Sequence, residues 1–291
     1  MKKIFLLLAL ALSISAYAQI DKKKAFFLLQ SSGEQTDPNI ALGDAFLTSN
    51  AKTRSYWDFT SLSGSEGDAI TSVSDLRGNG WTLGNFSGSA TPLVGNIQSG
   101  TTLIKTLHSY TASGFESGLV GTGAATNLLI NSVEVHLLVN LFDGRPSSFL
   151  YLFGCSNGGT QYFRLGVNAS GNLTLEYAAA GAGLTTLSSS GYALPNGLTG
   201  VTLIRLVCNF TTDVISGMIN GVPITFSVGS GNAISSWNPA LWVCSKGIGV
   251  GGHWDSSFTN DTGATKHTLK CAVTDLITDD EYLQLAASFL N

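Results

Sequence analysis

Charge is what this sequence has least of. Of its 291 residues, Asp, Glu, Lys and Arg supply 12%, against roughly 25% in ordinary soluble proteins. No basic block is present and the formal net charge is −4, so the electrostatic footprint for nucleic acid or an anionic membrane is missing. Cysteine is also scarce. Cys155, Cys208, Cys244 and Cys271 show no Cys-x-x-Cys spacing and no cluster with histidine, which argues against zinc. Each lies in or beside an apolar strand and reads as a small buried hydrophobe. If one bridge forms in an oxidising compartment, Cys244–Cys271 is the expected pair, because it would join the two C-terminal strands. There is no Gly-x-Ser-x-Gly elbow, no His-Glu-x-x-His helix and no phosphate-binding glycine loop. No fixed-period repeat is visible, so solenoids and propellers are excluded.

What is present begins with an export signal. Lys2 and Lys3 precede an apolar run from Ile4, and Ala16-Tyr17-Ala18 places small residues where a signal peptidase reads them. Cleavage before Gln19 is expected. The run is shorter than the roughly 20 apolar residues of a membrane span, and no later segment reaches that length. Losing Lys2 and Lys3 takes the net charge from −4 to −6. Residues 19–54 read as an arm or linker, with Lys22-Lys23-Lys24 as a solvated run and Ser31 to Asn39 as a polar connector. Such an arm is expected to be mobile or to dock on a neighbouring subunit of a homo-oligomer.

From Ser55 to Asn291 the pattern is that of strands. Val133, Val135, Leu137, Val139 and Leu141 face one way, while Glu134, His136 and Asn140 face the other, with Leu138 as the exception. Glu134 and His136 are expected on a solvated face. Phe149 to Phe153, Gln161 to Val167 and Leu173 to Tyr177 follow as strands; Gly181 to Asn196 reads as loop. Leu203 to Phe210 and Val214 to Asn220 run on into Asn220-Gly221, the strongest short hairpin signal, because a type I′ turn needs positive φ at both central residues. Pro223 marks the next strand as an edge strand or a strand start. Thr268 to Leu276 is the last strand. Thr278 and Glu281 form a capping box for a short C-terminal helix docking through Tyr282, Leu285, Ala286 and Phe289.

Asp75-Leu76-Arg77-Gly78-Asn79-Gly80 reads as a structural turn rather than a calcium loop, since the ladder of oxygen ligands is missing. That turn, the strand Val133-Glu134-Val135-His136, the hairpin Ile219-Asn220-Gly221-Val222-Pro223, the glycine-rich Ile248 to Gly252 and the closing Val273 to Tyr282 recur in one order. In that order the chain resembles the concanavalin A-like lectin/glucanase superfamily, in its laminin-G-like and pentraxin-like branch. The resemblance implies an all-β, two-sheet antiparallel jelly-roll sandwich, here with a short C-terminal helix.

Function on such a fold resides in grafted sites. The hydrolase branch of the superfamily carries a Glu-x-Asp-x-(x)-Glu strand, since a retaining glycosidase needs two carboxylates about 5–5.5 Å apart. That full pattern is missing, and Glu134, His136 and Glu176 are a remote substitute, so a non-catalytic domain is expected. The binding candidate is a loop: His253, Trp254 and Asp255 with Asn260 and Asp261 combine an aromatic face with polar groups, the mixture that sugar recognition uses. Trp237 stands in a second loop. Tryptophans that merely seal the sandwich ends are the alternative. Calcium through Asp255, Asn260 and Asp261 falls short of the usual six to eight ligands, so no cofactor is expected. The leading expectation is an exported or cell-surface domain (the periplasm included) recognising glycan or a surface protein, with no membrane insertion after signal cleavage. A structural protein of an adhesin, matrix or virion surface is the alternative, and a glycan hydrolase the remote one.

Overall fold

The computed structural model describes residues 38–84, 91–99, 101–109, 111–112, 115–116, 119–121, 132–141, 149–156, 162–178, 185–194, 200–209, 211–212, 214–230, 248–251 and 266–291. The chain enters as helix α1 (Pro38–Ser49) and strand β1 (Thr53–Asp58), followed by a 3-10 turn, Phe59–Ser61. Next come β2 (Ser72–Val73), β3 (Leu83–Gly84), β4 (Leu93–Ser99), β5 (Thr102–Ser109), β6 (Thr111–Ala112), β7 (Phe115–Glu116) and β8 (Leu119–Gly121). The middle holds β9 (Val133–Asn140), β10 (Phe149–Ser156), β11 (Tyr162–Asn168), β12 (Leu173–Ala178) and β13 (Thr185–Ser190). The end holds β14 (Val201–Asn209), β15 (Val214–Ile219), β16 (Val222–Ser230), β17 (Ile248–Val250), β18 (Lys266–Thr274) and helix α2 (Asp279–Leu290).

Every one of these strands except β6 and β7 belongs to one antiparallel sheet of 16 strands, which curls so that one face closes on itself. Its order is β2-β3-β8-β17-β10-β11-β12-β13-β16-β15-β14-β9-β18-β5-β4, with β1 also on β18. The expected all-β antiparallel sandwich is therefore what the chain forms, its two layers joined by continuous hydrogen bonding. The enclosed face gathers Leu152, Phe163 and Leu175 from one layer and Val135, Leu206 and Trp57 from the other into a single core.

Turn chemistry behaves as the residues dictate. Asn220 and Gly221 both take positive φ, 50° and 73°, and turn β15 into β16. Pro223 stands at a strand start but not on an edge, because β16 lies between β15 and β13. Pairing with β13 begins only at Thr225, so no ladder bond is asked of the proline's missing N–H. Asp75 accepts from Ser55 Oγ, Tyr56 N, Arg77 N and Asn79 N, which commits both carboxylate oxygens to the turn.

Several elements are not foreseen from the sequence, β13, β4 and the first helix among them. β13, a run of Thr and Ser around Leu187, is held between β12 and β16 and was read as loop. β4, not foreseen from the sequence, pairs along its whole length with β5. In the expected arm, residues Pro38 to Ser49 are a helix packed on the body of the same chain.

α1 and α2 cover the outer face of β9, β14 and β18. Phe46, Leu47, Leu138, Leu203, Leu269, Leu285 and Phe289 form a second core there. Leu138 breaks the alternation of β9 because it belongs to this second core. All four residues expected to dock α2, Tyr282, Leu285, Ala286 and Phe289, are buried, and the Thr278–Glu281 capping box is formed in both directions. Cys208 and Cys271 are free, buried thiols; burial raises both, with the Glu134 charge adding to the effect at Cys208. The expected Cys244–Cys271 bridge is corrected on this point: Cys271 faces the enclosed core from the central strand β18, and Cys244 lies outside the described residues. Among the described residues no helix is long and apolar enough to cross a membrane.

The two helices meet at Gly43. A Cβ there would land on the Gln284 carbonyl and 2.8 Å from Ser288 Cβ. Gly43→Ala is expected to lift α1 from α2 and cost about 1–3 kcal/mol, the range for overpacking. A fall in the urea midpoint checks it; an unchanged midpoint would mean that the helix contact adds nothing to stability.

Candidate functional site

The site residues expected from the sequence, Trp237, His253, Trp254, Asp255, Asn260 and Asp261, all lie outside the described residues. Gly251 and Lys266, the described residues flanking 252–265, each donate a hydrogen bond to a carbonyl of β10, the first from its backbone and the second from its side chain. At one end Gly251 N donates to the Leu152 carbonyl at 3.0 Å. Only a glycine fits there, with φ 76° and a Cβ position that would collide with Ser109 Oγ. At the other end Lys266, 1% exposed, crosses the enclosed space and donates from Nζ to the Tyr151 carbonyl at 2.6 Å.

Tyr151 itself points to the outer face. Cross-strand partners share a face, so its row runs through Gly166, Thr174, Ser188 and Ser227. The neighbouring row carries Arg164, Glu176 and Thr186. A bulge between Tyr151 and Phe153 and the small partner Gly154 leave space at the Arg164 position. The Tyr151 hydroxyl donates to Glu176 Oε2 at 3.1 Å and accepts from Arg164 Nη1 at 3.2 Å. Arg164 also lies 5.6 Å over the Tyr151 ring, and its Nε is 3.8 Å from Glu176 Oε2. Phe149 tilts against Tyr151 at 4.5 Å, its ring laid over Gly166. The arrangement offers one aromatic flank, a guanidinium, a carboxylate and a line of hydroxyls ending in Ser190 and Thr225. Arg164 and Glu176 are 16% and 17% exposed, accessible but pre-oriented. The alternation of β10, β11 and β12 could have pointed to this face; it was overlooked because the three residues come from three strands.

The other polar group singled out in the sequence is sealed. Glu134 and His136, expected on a solvated face, are 1% and 0% exposed beneath α2. Arg205 holds Glu134 through Nε at 2.7 Å and Nη2 at 3.0 Å, and reaches the Ile277 carbonyl at 3.2 Å. Ile277 N donates back to Glu134 Oε1 at 3.0 Å, and the guanidinium lies 4.4 Å over the Tyr282 ring. His136 sits 3.4 Å from Glu134 and 3.3 Å from Thr274 Oγ1. Burial first, and then the Arg205 charge, hold the His136 imidazole well below the usual histidine range. In sheet order Glu134 on β9 and Glu176 on β12 are five strand spacings apart, about 24 Å along the sheet, so they do not form a glycosidase carboxylate pair. Glu66-Gly67-Asp68, the one Glu-x-Asp in the sequence, lies in an exposed loop. There Asp68 caps Ser65 N. Among the described residues no group of His, Cys, Asp and Glu is placed to hold a metal ion.

No family model matches the chain, and no curated protein matches it. Solved structures do. The binding domain of botulinum neurotoxin DC in complex with SialylT superposes with a TM-score of 0.54 at 9% identity, over 82% of this chain and 51% of that one. The Trypanosoma rangeli sialidase in complex with 2,3-difluorosialic acid gives 0.53 at 15% identity, over 87% of this chain and 37% of that one. The CBM40 of a Ruminococcus gnavus IT-sialidase bound to α2,6-sialyllactose aligns at 14% identity and 0.42, over 55% of this chain and 85% of that one. The neurotoxin and sialidase superpositions agree in fold, a β-sandwich, while the chain spans about half and about a third of their lengths.

The sealed cluster has measurable consequences. Glu134→Gln leaves the buried Arg205 charge with only the exposed Asp279, 3.6 Å away, as counterion and is expected to cost about 3 kcal/mol, the lower end for a broken buried pair, read from urea unfolding. His136 makes stability fall in acid. Below about pH 6.5 the unfolded imidazole takes a proton that the folded one refuses, so stability is full above that pH and drops by up to about 1.4 kcal/mol per unit below it. Urea midpoints from about pH 7 to about pH 5 check this, and His136→Phe is expected to flatten the slope.

Proposed function

We propose that this chain is an exported, non-catalytic binding domain, and that the outer face of β10 to β13 recognises glycan, or a surface protein presenting the same polar chemistry. The observation that carries the reading is the half-buried Tyr151–Arg164–Glu176 constellation, on a face whose hydroxyl row becomes exposed at Ser190, Thr225 and Ser227. Sugars present an apolar C–H face and paired hydroxyls. Here Tyr151 and Phe149 supply the aromatic flank, Glu176 accepts, and Arg164 donates. His253, Trp254, Asp255, Asn260 and Asp261 belong to the proposal on their chemistry alone, an aromatic face beside polar groups. The fold is also that of a neurotoxin binding domain in complex with SialylT, which is in keeping with a ligand on this architecture. Export rests on Lys2-Lys3, the apolar run and Ala16-Tyr17-Ala18, and the absence of chemistry on the burial of Glu134 away from Glu176.

A glycan array on the chain from Gln19 onward tests the reading. Binding is expected for the wild type, with Arg164→Ala, Glu176→Gln and Trp254→Ala each losing about tenfold or more. A lost hydrogen bond to a charged group, at about 1.5–3 kcal/mol, corresponds to that. An array without binding, or one unaffected by Arg164→Ala and Glu176→Gln, would remove the outer face from consideration.

A further inference from the structure

On a different surface, where α2 ends against the sheet, the structure holds a groove of about 640 Å³. Its apolar wall includes Leu103, Leu138, Val201 and Phe289, and two lysines, Lys105 and Lys270, line it as well. Leu103 stands at the rim, 66% exposed.

The lysines decide what such a groove accepts. Lys270 is 7% exposed, and its ammonium makes one hydrogen bond, to the Ser288 carbonyl at 2.6 Å. Lys105 likewise makes one, to the Leu62 carbonyl at 2.8 Å. An ammonium has three N–H donors, so two remain on each. Neither lysine forms an ion pair among the described residues. The carboxylates that act on Lys270 from a distance, Asp58 and Asp44, are committed elsewhere: Asp58 caps Thr60 through its N and Oγ1, and Asp44 accepts from Ser288 Oγ. Burial accordingly pulls the Lys270 ammonium down from its usual range. A cation held in an apolar wall without a counterion is costly, and supplying the counterion is favourable. The carbonyl-rich end of a helix repels an anion, but here the Lys270 ammonium is bonded to that end.

We propose that this groove binds an amphipathic carboxylate, its apolar body against Leu103, Leu138, Val201 and Phe289 and its head held by Lys105 and Lys270. The volume is that of a site for a small organic ligand, within the usual range of about 300–1,000 Å³. A neutral molecule of the same shape gains the apolar contact and not the neutralisation.

Calorimetric titration of the chain from Gln19 onward with decanoate and with decanol tests this. Decanoate is expected to bind about tenfold or more tightly than decanol, and to raise the midpoint of thermal unfolding. Lys270→Met keeps the length and loses the charge, and it is expected to abolish the preference for decanoate. Leu103→Glu, on the exposed rim, is expected to weaken decanoate more than decanol, and it decides the matter if Lys270→Met does not fold. No heat with decanoate, equal binding of the two probes by the wild type, or an unchanged preference in a folded Lys270→Met or in Leu103→Glu would overturn the proposal.

Discussion

Strands β9 and β18 meet water on neither face, and that double burial governs the rest of the molecule. Every residue of both strands is buried. A strand in an antiparallel sandwich normally alternates between core and solvent. Here the solvent side is occupied by α1 and α2, and the charged side chains on it are met by partners within the protein. Glu134 finds Arg205 and Ile277 N, and Lys270 finds the Ser288 carbonyl; on the adjoining β1, Thr53 Oγ1 finds the Phe46 carbonyl. These contacts direct where the helices sit, because a buried charge tolerates little displacement from its counterion. The apolar second core supplies the attraction; the polar pairs supply the register.

The same arrangement divides the outer surface into two chemical territories. Over β9, β14 and β18 the helices cover it, with a groove at the end of α2. Over β10 to β13 and β16 no helix is present among the described residues, and Thr, Ser, Arg and Glu side chains replace leucines along the rows. The second territory carries the proposed recognition of glycan or surface protein, and the first carries the proposed carboxylate groove. Fold likeness to a neurotoxin binding domain and to a sialidase does not choose between ligands, since one sandwich supports many sites. The choice rests on which side chains each territory presents.

Reading glutamate and histidine on β9 as solvated, and the Ser- and Thr-rich β13 as loop, were errors of one kind. In each, a residue's neighbours along the chain were taken as a guide to its environment. Hydroxyl side chains suit a loop and suit equally the outward rows of a central strand. Glutamate beside histidine suits a wet face, and also a dry one once an arginine from β14 stands opposite. The Asn220-Gly221 turn and the Thr278–Glu281 cap were legible because their geometry is settled by residues within four positions of one another.

By itself, then, the order of amino acids determined the period-two strands, their turns, the capped final helix and the antiparallel sandwich they must build, because alternation and local backbone chemistry act over a few residues. It also determined which side chains share a face. What covers each face was decided only in three dimensions: that α1 and α2 seal Glu134 and His136, and that Tyr151, Arg164 and Glu176 from three strands converge in the open. Burial is a property of the neighbour across the layer, and that neighbour is set by packing between segments far apart in the chain, 244 positions for Asp44 and Ser288.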